Sequence, residues 1–324
     1  MSTYKEIKGQ LIRKVSSDPT NALEGQIWYN TTVGALKASA YVTGTWAAGG
    51  NLNQDYFGRA SSGTQTEGLV FGGRNPGPVF TSGDTEEYNG SSWSEQNNMG
   101  TTRRYHAGFG IQTASVACAG APAGNTPGTK TEEYNGTSWT AGNDMSIGNN
   151  NGGGTAGILT AGFFVGASPP TGSTEEYDGT NWSSGGALNT ARNQSRSFGT
   201  LTAGVAAGGE GNSSAVEHYN GTAWTASTAL PEGRFNNGTG GTQTAGYVTG
   251  GKTGSPGTTI LTTLEYDGSA WRTGGNLSNE RDNANRGPQG TVPAGLLSGG
   301  KYPFQGTEEY TGPSEPQTVR VTLS

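Results

Sequence analysis

The chain has 324 residues, of which 58 are Gly, and its 25 acidic and 19 basic side chains leave a formal net charge of −6. Leu, Ile, Val and Phe make up only about 14% of it, a level that marks disorder in strongly charged chains, yet the charge is small and the 7 Trp and 13 Tyr are spaced regularly, so a folded, tightly layered protein is expected. Basic residues never run beyond a pair and no stretch nears 18 apolar residues, which argues against nucleic-acid partners and membrane insertion, and Cys118 alone allows no intramolecular disulfide.

The N-terminus carries Lys5, Lys8, Arg13 and Lys14 with Glu6 as its one acid, and it lacks the apolar core of a Sec signal peptide. Residues 25–37 then read as a small hairpin turning at residues 30–34, with Ile27, Trp28 and Tyr29 on its first strand. Residues 1–35 stand outside the pattern that follows. They form an N-terminal arm, and Ile27, Trp28 and Tyr29 are its candidate assembly residues.

From residue 36 a repeat takes over. Trp46, Trp93, Trp139, Trp182, Trp224 and Trp271 are separated by 47, 46, 43, 42 and 47 residues, and Tyr88, Tyr134, Tyr177, Tyr219 and Tyr266 each precede a Trp by five. A period of about 40 to 50 residues with aromatic and glycine markers predicts a β-propeller with one four-stranded blade per period. Within each period a hairpin turning at Gln112-Thr113, Leu159-Thr160, Leu201-Thr202 or Gln243-Thr244 predicts strands A and B. The phrase TEEYNGTSW (residues 131–139) and its copies predict strands C and D around Asn-Gly or Asp-Gly, read as a two-residue type I′ turn.

Complete sets fill residues 58–99, 103–145, 149–188, 191–230 and 233–277, while 280–312 holds A, B and C without the final Trp. The missing D strand is expected from Tyr41–Trp46 at the other end of the repeat, so that no sheet edge stays open. The expectation is an all-β, six-bladed propeller over residues 36–312, with 36–52 closing the last blade and 313–324 a C-terminal tail.

These residues resemble the kelch repeat, in which an apolar strand ends in Gly-Gly, Tyr follows about 15 residues later and Trp about six after that. Gly72-Gly73, Gly208-Gly209, Gly250-Gly251 and Gly299-Gly300 match, while Ala119-Gly120 and Gly166-Ala167 depart from the pair. The resemblance implies a propeller fold. The earlier segment, Gly25-Gln26-Ile27-Trp28-Tyr29-Asn30 followed by Gly34-Ala35-Leu36-Lys37, resembles one in bacteriophage tail-fibre and other virion proteins.

The recurring carboxylates (Glu86-Glu87, Glu132-Glu133, Glu175-Glu176, Glu217, Glu265, Glu308-Glu309) are read as scaffold. Adjacent strand residues point to opposite faces, whereas acid–base work needs two carboxylates converging on one substrate. A kelch copper oxidase would need two His and two Tyr ligands and a Cys–Tyr cross-link, but only His106 and His218 exist and His218 lies within a repeat strand. Sialidase boxes match Tyr177–Trp182 only in part. No catalysis, metal or cofactor is therefore expected, and Cys118 is read as a small core residue.

Recognition is expected on the long, variable B–C and D–A loops. The candidate contacts are Tyr105, His106, Arg196, Phe235, Tyr302 and Phe304; the alternative for each Arg before strand A is that it caps its sheet. The function expected is that of a phage virion protein, tail-fibre-like or capsid-decorating, assembling through the arm with other virion proteins or its own copies. Its propeller would adhere to a host-surface protein or glycan. The alternatives are a cellular kelch adaptor between proteins and, third, a carbohydrate-active enzyme.

Overall fold

The computed structural model describes residues 12–321 except 21, 23–24, 41, 76–79, 123–125, 150, 152, 255–256, 285, 301–303 and 313–316. Every regular element among them is a strand. The chain divides into two compact units, one of residues 1–43 with 312–324 and one of residues 44–311.

The larger unit is a succession of antiparallel sheets. Sheets one to five each have four strands in chain order: Ala60–Gly63 to Trp93–Gln96, Ala107–Ile111 to Trp139–Ala141, Gly154–Ile158 to Trp182–Ser184, Arg196–Thr200 to Trp224–Ala226, and Gly238–Thr242 to Trp271–Thr273. Sheet six joins Ala294–Ser298 and Thr307–Thr311 to Thr45–Ala48 from the far end of the chain, with Tyr310 opposite Trp46.

Small residues let these sheets stack closely. A Cβ at Gly162 of sheet three would lie 2.1 Å from the Phe109 ring of sheet two, and one at Gly246 of sheet five 2.1 Å from Phe198 of sheet four. Each large ring of one sheet thus beds on a bare backbone of the next, at distances no side chain could share. The clusters this builds are buried between sheets, as in Phe109, Val116, Cys118, Met145, Phe164 and Tyr177.

The repeated nine-residue phrase is the joint between sheets. Its Trp donates its indole N–H to the first Thr of the phrase in the preceding sheet: Trp139 to Thr85, Trp182 to Thr131 and Trp224 to Thr174, each at 2.9 Å. Its Tyr donates to the second Glu of that same preceding phrase: Tyr134 to Glu87 at 3.0 Å, Tyr177 to Glu133 and Tyr219 to Glu176. Sheet six obeys the rule, with Trp46 on Thr263 at 2.8 Å and Tyr310 on Glu265. Sheet one obeys it towards sheet six, with Trp93 on Thr307 at 2.9 Å and Tyr88 on Glu309. Where sheet four has Val216 and His218 instead of Thr and Glu, Trp271 turns to the Thr228 carbonyl and Tyr266 to the His218 ring.

The first Glu of the phrase works within its own sheet. Glu86, Glu132, Glu217 and Glu308 are buried and ion-paired with Arg59, Arg103, Arg192 and Arg281, the first, second and fourth of these pairs at 2.5 Å. Three of these arginines also donate to carbonyls at the end of strand B and of the following loop, as Arg103 does to Ala119 and Lys130, Arg192 to Gly208 and Ala215, and Arg281 to Gly299 and Gly306. Glu175 lacks an Arg and accepts instead from the backbone of Ser146 and Ile147. In sheet five Leu264 replaces the Glu, and Arg234 donates to Thr262.

Three details differ from the sequence reading. The Asn-Gly turn is a four-residue loop, because Tyr134 pairs with Trp139 and the Asn135 carboxamide accepts the N–H groups of Thr137 and Ser138. Only Gly136 of its central pair takes positive φ, at 87°. The larger unit begins at residue 44 rather than 36, since Ala35–Ala40 belongs to the smaller unit. Residues 313–324 are not merely a tail, for Gln317–Arg320 pairs along Ala35–Ala40.

The smaller unit is one sheet in the order Arg13–Val15, Ile27–Asn30, Ala35–Ala40, Gln317–Arg320. Asp18 folds over one face and accepts from the Trp28 indole, Asn30 and Lys37 at 2.9, 2.7 and 2.6 Å. These three donors hold its carboxyl down at about 2.

Two outcomes are expected. Arg103→Met leaves Glu132 buried without its cation and should cost about 3–5 kcal/mol in denaturant unfolding. Adding Glu132→Leu to it should restore much of the loss, because no charge then stays buried. Burial also raises the Glu265 carboxyl to about 7 from 4.5. Its contribution to stability is therefore present below pH 4.5 and lost as pH rises through about 7. Thermal melts of Glu265→Gln should lack that decline.

Candidate binding face

The loops between strands B and C and those leading into strand A carry the side chains that the repeat does not use. Leading into the inner strands, Gly58, Tyr105, Gln194, Asn236 and Asn283 occupy the same place in their sheets, and all have φ between 51° and 63°. This left-handed turn presents the backbone sideways to the neighbouring loop. Asn236 N–H donates to the Gln194 carbonyl, Asn283 to Asn236, Gly58 to Asn283 and Tyr105 to Gly58, at 3.0–3.4 Å. For Tyr105 the conformation is strained, since a bulky side chain rarely adopts it.

The segment leading into sheet six is two residues longer between Asn283 and Gly290 than its counterpart between Tyr105 and Gly110. The surplus lies across the inner strands of other sheets. A Cβ at Gly287 would sit 2.1 Å from the Ser61 carbonyl oxygen and 2.2 Å from that of Gly108. Arg286 is buried and donates to the Tyr105 carbonyl, Asn151 and Asn283, while its guanidinium stacks 4.8 Å from the Tyr105 ring.

The predicted contact residues divide sharply. His106 and Arg196 are corrected to interior positions, with relative exposures of 0% and 2%. His106 lies against Phe71, and burial together with Arg103, Arg286 and Arg59 drives its pKa well below 6.5. Arg196 donates to the Ser195 carbonyl and to Asn236, and burial beside Arg286 lowers its pKa strongly. Tyr105, Phe235 and Phe304 are half-buried at the loop surface, Phe304 with its ring 4.4 Å from the Arg281 guanidinium. Tyr302 lies outside the described residues. The structure does not gather Tyr105, Phe235 and Phe304 into one cluster, for each sits on its own sheet's loops. Of the arm's candidates, Trp28 is buried under Asp18, while Ile27 and Tyr29 point to the other face, 38% and 37% exposed.

Around Tyr105 there is a cluster that the repeat pattern did not single out. Arg74 lies over two rings, 5.1 Å from Phe57 and 5.7 Å from Phe80. Arg104 lies 5.8 Å from the Tyr105 ring and donates to the Phe80 carbonyl, and Phe57 meets Tyr105 edge-on at 6.0 Å. Phe80 is 46% exposed and has φ of 56°. The signal in sequence was the alternation of Arg and aromatic residues at Tyr56-Phe57, Arg74, Phe80 and Arg104-Tyr105, which crosses three loops and so escapes a linear scan.

Among the described residues no three of His, Cys, Asp and Glu converge to hold a metal. The repeated carboxylates are each held by Arg, Tyr or backbone partners, as described above. Cys118 is buried, and burial raises its thiol pKa.

Because His106 is neutral in the fold while the unfolded chain protonates near pH 6.5, stability should fall as pH drops below about 6.5, by up to about 1.4 kcal/mol per pH unit. Replacing His106 with Leu should flatten that acid limb in denaturant titrations from pH 7 to 5. No protein-family model matches this chain, and none of the curated proteins matches it.

Proposed function

We propose that this chain is a bacteriophage virion structural protein, tail-fibre-like or capsid-decorating, in which a six-bladed kelch-like β-propeller serves as an adhesive head without chemistry of its own. The smaller unit is its assembly segment, docking on other virion proteins or on further copies of the chain. The observation that carries the propeller reading is the return of the Tyr–Glu and Trp–Thr joints to sheet one after sheet six. Support for adhesion comes from the division of labour among residues. Many of the strands' polar groups are taken up by joints and internal ion pairs, and a cluster of half-exposed aromatics and arginines lies on the loops around Tyr105. Support for the assembly role comes from the virion-like Gly25–Lys37 segment, which forms a hairpin within a separate unit. There Ile27 and Tyr29 leave an apolar strip open to a neighbour.

The test compares two truncations with the full chain. A protein of residues 44–311 keeps Thr45–Ala48 and should melt cooperatively, yet fail to enter particles when scored by immunogold microscopy. Normal incorporation of that truncation would contradict the assembly role. A protein that starts at residue 50 loses the strand opposite Tyr310 and should melt far lower than residues 44–311. Equal melting temperatures would contradict the closed six-blade reading.

A further inference from the structure

We propose that Arg74, Phe80 and Arg104 form a subsite for the carboxylate of an acidic sugar in a surface polysaccharide; this rests on the adhesion reading above. A guanidinium stacked on an aromatic ring has its face occupied and its N–H edge directed outward. Arg74 is held in that way by two rings, Phe57 and Phe80, and among the described residues it makes no ion pair. Its neighbours show what a committed arginine looks like here, since Arg59 is buried on Glu86. Arg74 is half-exposed, and its planar fork is preorganised for two parallel hydrogen bonds to one carboxylate.

Phe80 supplies the second half of the subsite. Phe80 is 46% exposed beside that guanidinium, and its left-handed backbone at φ 56° is a conformation costly for a bulky residue. The Arg104 guanidinium anchors the loop through the Phe80 carbonyl at 3.3 Å. A carboxylate next to an apolar C–H surface is therefore the complementary chemistry, and an acidic sugar ring carries both.

An acidic peptide fits less well. Peptides gain much of their affinity by adding to an open strand edge or lying in a groove. Here the backbones on either side are already paired, Phe57 with Arg74 and Arg104 with Ala121.

The experiment titrates the full chain calorimetrically with three probes: tetragalacturonate, the neutral mannotetraose and tetraglutamate. Wild type should bind tetragalacturonate alone, and more weakly at high salt. Arg74→Lys keeps the charge but loses the fork, and should bind it at least about tenfold more weakly with an unchanged melting temperature. Phe80→Ser should weaken it similarly. The proposal fails if tetragalacturonate does not bind, if Arg74→Lys binds it as wild type does, or if tetraglutamate binds more tightly. Attachment of particles to cells that persists in both variants would also overturn the subsite while leaving adhesion itself standing.

Discussion

The larger unit depends on one interaction repeated from sheet to sheet: in five of the six sheets a phenol and an indole donate to a carboxylate and a hydroxyl of the neighbouring sheet. Neither bond is strong alone, about 1 kcal/mol net for a neutral pair and somewhat more where the acceptor is ionised. Their effect is positional. Stacked sheets of glycine, alanine and serine have little side-chain relief to fix how one lies on the next, and hydrophobic burial is non-directional. Directional donors at the outer strand set the register between sheets, and the rings that carry them fill the space in the same move. That is why Tyr, Trp, Thr and Glu recur together. The phrase is a fastening, and it recurs because each seam needs one; only the seam onto Val216 and His218 finds other partners.

The seams also account for the ionisable groups. Burying a carboxylate is costly unless it is paired, and the first Glu of the phrase meets that condition with the arginine that leads into strand A. The exceptions are instructive. Sheet five substitutes Leu264 and its Arg234 falls back on Thr262, while sheet three loses the Arg and its Glu175 falls back on backbone N–H groups. Either partner can be absent if the other finds acceptors or donors nearby, so the pair is one solution among several. Arg196 and Arg286 have different work. They sit in a polar interior of amides and hydroxyls where the loops leading into the inner strands meet.

Much of this architecture was legible in the sequence because it is periodic. The Trp and Tyr spacing located the strands, and the missing final Trp pointed to Tyr41–Trp46, of which Thr45 and Trp46 lie in the strand Thr45–Ala48, opposite Thr311 and Tyr310. What was not legible is aperiodic or three-dimensional. Asn135 gave a turn but not its length, because its carboxamide caps two N–H groups and holds four residues in the loop. Gln317–Arg320 carries no signal for its place beside Ala35–Ala40, a pairing across nearly the whole chain. His106 and Arg196 looked like surface contacts because polar residues in loops usually are. Their loops turn inward through left-handed residues, and a linear reading has no access to that φ. The stack of Arg74 on Phe57 and Phe80 joins two separate loops, so it too had no local signature.

Apart from the seam between sheets four and five, one kind of joint fastens the sheets to each other, the seam made by the N-terminal strand included. A double-mutant cycle measures it most directly. Trp46→Phe and Thr263→Val probe the seam between sheets five and six, and Trp182→Phe and Thr131→Val probe an interior one. Coupling energies of about 1 kcal/mol are expected at both seams, equal within error. Coupling between Trp182 and Thr131 with none between Trp46 and Thr263 would contradict a shared joint.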